Sequence, residues 1–164
     1  MLKTHVTSFH HVIQSARDEA RESGSRTIEA EHILLALSGQ EGTAREILES
    51  TGLDHDAIRA TLEREFAESL LAVGISLGGS SPVSENWSPD FRPRFAQSAK
   101  LALERAVALV KKRVAPRLEP THLLLGILYA RAGTVPRILA IAGVDVDDLM
   151  RRAESALSAS REGP

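Results

Sequence analysis

Six histidines, the serines and a scatter of carboxylates are the side chains of this 164-residue chain with the chemistry to attack a substrate or hold a metal. Their spacing argues against both uses. His10 and His11 are adjacent, so on a helix they point about 100° apart and cannot grip one ion from one turn. A metal at His10 would need partners from elsewhere, such as His5 or Glu31. His32 and His122 each stand at the start of an apolar helical run, and equivalent placement twice points to packing plus a local hydrogen bond, not to catalysis. No serine lies in a Gly-x-Ser-x-Gly setting, and no carboxylate pair falls in a recognisable hydrolytic motif. A nucleotide cradle requires Gly-x-x-x-x-Gly-Lys-[Ser/Thr]; here Gly78-Gly79 runs into Ser80-Ser81-Pro82 with no lysine. There is no cysteine, which removes thiol nucleophiles, thiolate metal sites and disulfides together. A non-enzymatic chain with no metal and no cofactor is the expectation.

The elements that carry these residues are repeated. Glu31-His-Ile-Leu-Leu-Ala-Leu37 recurs as Thr121-His-Leu-Leu-Leu-Gly-Ile127, and Gly42-Thr-Ala-Arg-Glu-Ile-Leu-Glu-Ser-Thr-Gly-Leu-Asp54 recurs as Gly133-Thr-Val-Pro-Arg-Ile-Leu-Ala-Ile-Ala-Gly-Val-Asp145, one residue further apart because of an insertion near Tyr129. Val12, Ala16, Ala20 and Ile28 face Ala102, Ala106, Val110 and Leu118, apolar for apolar. Each unit parses into four helices. The first runs from about His5 to Glu22, with Phe9, Val12, Ile13, Ala16 and Ala20 on one stripe and Gly24 as its stop. The second runs from about Ala30 to Ser38, its counterpart opened by Glu119-Pro120, where proline suits a first turn. The third begins at Thr43, whose spacing to Glu46 predicts a capping box. The fourth starts at Asp54 or Asp145 as N-caps and carries Ile58, Leu62 and Phe66, or Leu149, Ala153 and Leu157, inward.

The expected architecture is all-α: two pseudo-symmetric four-helix repeats, about eight helices, in one domain. Repeat 1 covers about residues 1–72, a Gly/Ser/Pro-rich connector about 73–93, and repeat 2 about 94–160. Trp87 in the connector either packs back on the helices or stands out as an anchor for a partner. Composition agrees, since Leu, Ala, Ile and Val dominate a 43% hydrophobic chain with one Trp, one Tyr and four Phe. No secretory leader and no run of roughly 18 apolar residues is present, so a cytoplasmic protein without a membrane span is expected.

Charge is divided unevenly. Residues 1–66 hold 7 Lys/Arg against 12 Asp/Glu, and residues 92–164 hold 13 against 7. This either orients the halves, offers a partner a surface of two signs, or reflects solvated faces that drifted apart. Lys111-Lys112-Arg113 with Arg117 closes the first helix of the second unit, where cations complement the helix C-terminus. With a pI of about 6.3 and few aromatics, no nucleic-acid partner is expected.

Laid out as two units, each with an apolar helix opened by a Glu-His-Ile-Leu-Leu or Thr-His-Leu-Leu-Leu run and a following glycine-bounded turn, the chain resembles the Clp N-terminal repeat domain, with the ClpC branch nearest. Asp18-Glu19-Ala20, Gly24, Ile28 and Glu31-His32-Ile33-Leu34-Leu35 carry the resemblance best, and it spans about residues 1–66 and 92–160. In that family the domain precedes ATPase modules, recruits clients and adaptors, and feeds a protease ring. The resemblance therefore implies a peptide- or protein-binding module of the Clp system, acting as adaptor, decoy or regulator, or else as a sink for antibacterial cyclic peptides. Its implied partners are unfolded or tagged clients, Clp ATPases and adaptors, or such peptides; a monomer is expected.

Two ligand modes follow from the resemblance. Some members bind phosphorylated arginine through the glutamate before the histidine in each repeat. Glu31 keeps that residue and Thr121 replaces it, while the phosphate-side threonines fall on Val6 and Ala96, so both sites look impaired. The other mode lies between the first helices of the repeats, where Phe95, Lys100 and Glu104 match positions used for cyclic peptides, Leu2 replaces an aromatic and His10 an arginine. Phe95 alternatively only staples the start of its helix to the connector. One functional surface at the junction of the repeats is expected, not two symmetric sites.

Overall fold

A computed structural model describes residues 2–76, 88, 90–112 and 117–160, with side chains from residue 9 onward. Eight helices stand among the described residues: α1 (Leu2–Glu22), α2 (Ala30–Gly39), α3 (Thr43–Glu49), α4 (His55–Ala72), α5 (Gln97–Lys112), α6 (Pro120–Leu128), α7 (Thr134–Ile141) and α8 (Val146–Ala159). The only strands described are two-residue pieces, β1 (Thr27–Ile28) and β2 (Arg94–Phe95), paired in parallel with Thr27 opposite Arg94 and Ile28 opposite Phe95. The all-α double repeat is thus the observed architecture. None of the described helices is long and apolar enough to cross a membrane.

Local chemistry sets the helix ends. Gly24, at φ 70°, lets Ser25 N–H reach back to Ala20 O at 2.8 Å and stop α1, a conformation that costs a residue with a side chain more. The Asp54 carboxylate accepts the Ala57 amide at 2.8 Å and Asp145 that of Asp148 at 3.1 Å, as their N-cap positions predict. The Thr43–Glu46 capping box does not form. Gly42 is the N-cap and Thr43 already lies inside α3, with no side-chain cap bond.

Amphipathic stripes decide which faces are covered. Val12, Ala16 and Ala20 of α1 and Leu149, Ala153 and Leu157 of α8 are buried, as their spacing predicts. The second helices are buried nearly all round: Ile33 to Leu37 in α2 and Leu123 to Leu128 in α6 form the centre of the core. In α4 the outcome departs from the pattern. Ile58 is buried, but Phe66 is 47% exposed and Glu65 beside it only 8%. The inward positions are i and i+7, because α4 turns that face to α7, where a cation awaits the glutamate.

The two repeats are clasped instead of merely adjacent. α3 packs on α8 and α4 on α7, while α2 and α6 touch each other at the centre. Arg21 of α1 donates from Nε to Phe91 O at 3.0 Å, tying the approach to β2 onto repeat 1. Each repeat therefore completes the other's surface.

Candidate functional site

The first turn of α2 is held by a set of bonds that also decides what its histidine can do. Backbone N–H of Glu29 donates to His32 Nδ1 at 2.9 Å, and His32 Nε2 lies 3.0 Å from Ser23 Oγ. An amide N–H can only donate, so Nδ1 is the acceptor and the neutral ring carries its proton on Nε2. That proton goes to Ser23 Oγ, whose own hydrogen points to Ala20 O at 2.9 Å. A serine beside a histidine thus forms no nucleophile–base pair, since the ring presents a donor where a base needs a lone pair. His32 therefore serves packing and a local hydrogen bond, and His122 repeats the arrangement by accepting the Glu119 amide at 3.1 Å.

Burial, outweighing the pull of Glu29 and Glu19, holds His32 below the ordinary histidine value of 6.5. The sign follows directly. A depressed folded-state value contributes stability that is complete above pH about 6.5 and is lost as pH falls from there through the folded value. Urea midpoints measured at pH 7.5 and 5.5 should therefore fall on acidification, and by less in His32→Asn, whose amide oxygen accepts the Glu29 N–H without a proton to gain. An equal fall in both proteins would remove His32 from the explanation.

Glu29 itself spans the repeats. Ser98 Oγ of α5 donates to its carboxylate at 2.5 Å and accepts the Ala30 amide at 3.0 Å, while Thr27 Oγ1 donates to the other oxygen at 3.0 Å. This fixes the start of α2 against α5 and leaves a groove of about 590 Å³, groove A, lined among others by Glu29, Glu31, Ser98, Arg105, Arg131 and Thr134. Repeat 1 supplies the head of α2; repeat 2 supplies α5 and the turn into α7. A second groove of about 560 Å³, groove B, is its counterpart with the roles exchanged: the head of α6, with Glu119, Pro120 and Thr121, meets α1 and the turn into α3, with His11, Gln40 and Thr43.

The grooves differ where the sequence predicts they should. In groove A the Glu31 carboxyl is raised above the usual range by burial and by the nearby charges of Glu29 and Glu65, against its own backbone bond and Thr134, which lower it. At the same place in groove B is Thr121, a buried neutral hydroxyl. Behind groove A, Arg137 Nε donates to Glu65 Oε1 at 2.6 Å, and Ser69 Oγ donates to the same oxygen at 2.8 Å. Burial alone would raise Glu65, but the bonds from Ser69 and Arg137 and the arginine's charge hold it low.

Glu31 and Thr121 therefore do occupy paired grooves, one each. His10, Lys100 and Glu104 are exposed on α1 and α5, Phe95 is half-buried against the core, and none of the four lines either groove. The expectations for Leu2, Val6 and Trp87 fall outside the described side chains. Ala96 ends the turn between β2 and α5, its amide bonded to Ile28 O at 2.9 Å. Sequence reasoning missed Ser98, Arg105, Arg131, Thr134 and the Glu65–Arg137 pair. Glu65 alone left a trace, standing seven residues after buried Ile58.

Comparison with known proteins adds independent findings. The family described as the Clp repeat (R) N-terminal domain matches residues 6–79 and 94–162. The chain is 36% identical over 116 residues, 70% of its length, to the chloroplastic chaperone protein ClpC2 of Oryza sativa subsp. japonica, and 34% identical over 116 residues to the chloroplastic chaperone protein ClpC of Pisum sativum. It spans 12% of the length of each of these relatives. The fold is similar to the N-terminal domain of ClpD from Arabidopsis thaliana, at a TM-score of 0.65 and 21% identity over 91% of both chains. It is likewise similar to the Hsp104 N-terminal domain from Candida albicans, at 0.62 and 19% identity over 89% of this chain and 86% of that one.

Proposed function

Because this chain belongs to the Clp repeat N-terminal domain family, matched in both of its halves, we propose that it is a non-catalytic protein- and peptide-binding module of the Clp system and that groove A is its working site. Clients or adaptors are the partners, and the module acts as adaptor, decoy or regulator of recruitment. The observation that carries the reading is Glu31: a half-buried carboxyl in a groove built by both repeats, raised by burial and by the charges of Glu29 and Glu65. A partly desolvated acid of that kind complements a guanidinium or ammonium group, which offers it charge and hydrogen bonds. An arginine side chain of a client fits this description, and a phosphorylated arginine would present its phosphate toward Arg105 or Arg131.

Calorimetric titration with an arginine-containing peptide and with the same peptide phosphorylated on the arginine tests it. Binding of either is expected to weaken at least about tenfold in Glu31→Ala, a loss of roughly 1.4 kcal/mol, and to be unchanged in Thr121→Ala. Equal affinities in wild type and Glu31→Ala would sink the assignment to groove A.

A second reading, docking of a cyclic or hydrophobic peptide along α1 and α5, draws support from the exposure of His10, Lys100 and Glu104 beside Phe95. Phe95→Ala distinguishes it: reduced peptide binding favours this surface, and unchanged binding leaves Phe95 with the packing role its half-buried position supplies.

A further inference from the structure

The two grooves are built alike at their heads and differently behind. The third and fourth helices align at a constant offset from Asp54 and Asp145, so Arg137 of α7 corresponds to Glu46 of α3, and Glu65 of α4 to Ala156 of α8. At these positions groove A, and not groove B, can be backed by an ion pair that crosses the repeats. That pair is close: Arg137 Nε to Glu65 Oε1 at 2.6 Å, with the Glu65 side chain 10% exposed and Arg137 55%. The same guanidinium reaches forward, with Nη2 3.5 Å from Thr134 Oγ1. Thr134 lines groove A together with Glu31 and is one of the groups that lower its carboxyl.

We propose that Arg137 and Glu65 are positioning residues of groove A: the arginine ties Thr134 on the groove wall to α4 and offsets the charge that Glu65 places behind Glu31, which keeps the groove fit to receive a cationic side chain. The inference rests on the reading of groove A as a cation-accepting site and adds the residues that keep it competent.

The electrostatics run in one direction. The charged groups that bear on Glu31 are Glu29 at the head of its own helix and Glu65 from α4, both negative, and Arg137 from α7 acts through Glu65. Arg105 of α5 and Arg131 of the turn before α7 stand on the groove wall, and Thr134 contributes a neutral hydroxyl. Removing the arginine leaves the Glu65 carboxylate with its bond from Ser69 but without a counter-charge, and two like charges in a poorly solvated site oppose each other's ionisation. At the equivalent places groove B has Thr121 in place of Glu31, and Glu46 and Ala156 in place of the pair, which makes its silence in the same assay an internal control.

The test has a readout independent of any ligand. The Glu31 side-chain carboxyl is titrated by carbon NMR in the free chain, and peptide affinity is followed against pH. Arg137→Gln is expected to move the Glu31 midpoint upward by about one pH unit, the ordinary scale of a like-charge neighbour. It should weaken binding of the arginine-containing peptide about tenfold at pH 7. Glu65→Gln with Arg137→Gln removes both charges and is expected to return the midpoint to the wild-type value. Arg137→Lys, which keeps the charge, should stay close to wild type. A midpoint unmoved in folded Arg137→Gln overturns the proposal, as does a double variant that titrates like the single one. Should wild type bind no peptide while the midpoints move as stated, the cation-accepting reading falls and the charge-setting role of the pair stands. Should wild type bind and the midpoints stay put, the reverse holds.

Discussion

Gly126→Ala is expected to destabilise the chain by roughly 3 kcal/mol, the upper part of the range for forcing extra atoms into a packed core. The reason is local and geometric. α6 lies so close on α5 that a Cβ at Gly126 would sit 2.2 Å from Ala102 O and 3.2 Å from the Ala106 amide nitrogen. Both are backbone atoms of a helix, which no rotamer change can move. The equivalent position in repeat 1 is Ala36, fully buried yet accommodated, so the α1–α2 approach leaves room that α5–α6 does not. Ala36→Gly should therefore cost only about 1 kcal/mol, mostly the helix propensity of glycine. Urea midpoints at unchanged slope measure both effects. A Gly126→Ala protein as stable as wild type would show that α5 yields, and would remove the close approach as the reason for glycine.

Leu124→Ala is the second large effect, at about 2–5 kcal/mol from lost burial plus the cavity left behind. Leu124 and its equivalent Leu34 are both wholly buried in the central helices α6 and α2. Against a total stability on the order of 5–15 kcal/mol, one such change removes a large share. The form of the loss matters as much as its size. Because α3 is clasped by α8 and α4 by α7, damage in repeat 2 also uncovers repeat 1. Unfolding of Leu124→Ala, followed by circular dichroism and by amide signals of Ile33 and Leu48, should remain one transition at a lowered midpoint. Repeat 1 signals surviving beyond the dichroism transition would mean that the repeats fold as separate units.

Much of the candidate site was legible only in outline. Glu31 and Thr121 stand out by repeat alignment, because a duplicated scaffold makes any replaced residue visible. Their surroundings were not legible. Ser98 meets Glu29 across 69 residues and Arg137 meets Glu65 across 72, and no local pattern couples positions so distant. Phe66 shows how the helical stripe misleads: in α4 the period pointed to an aromatic inward, yet a glutamate took that place because its partner lies on another helix.

By itself the sequence determined the duplication, the helices and most of their ends, the buried stripes of α1 and α8, the apolar second helices and the absence of the usual catalytic motifs. All of these depend on residues within a turn or two of each other, where 3.6-residue periodicity and cap chemistry act without reference to the rest of the fold. Tertiary structure alone decided that the repeats interlock, that each groove is assembled from both, that an ion pair between the repeats stands behind groove A, and that Ser23 and His32 meet as donor and acceptor in the order that leaves the ring no lone pair toward the serine. Those outcomes depend on which helix arrives opposite which, and on where a buried charge finds its counter-charge, both settled by long-range packing.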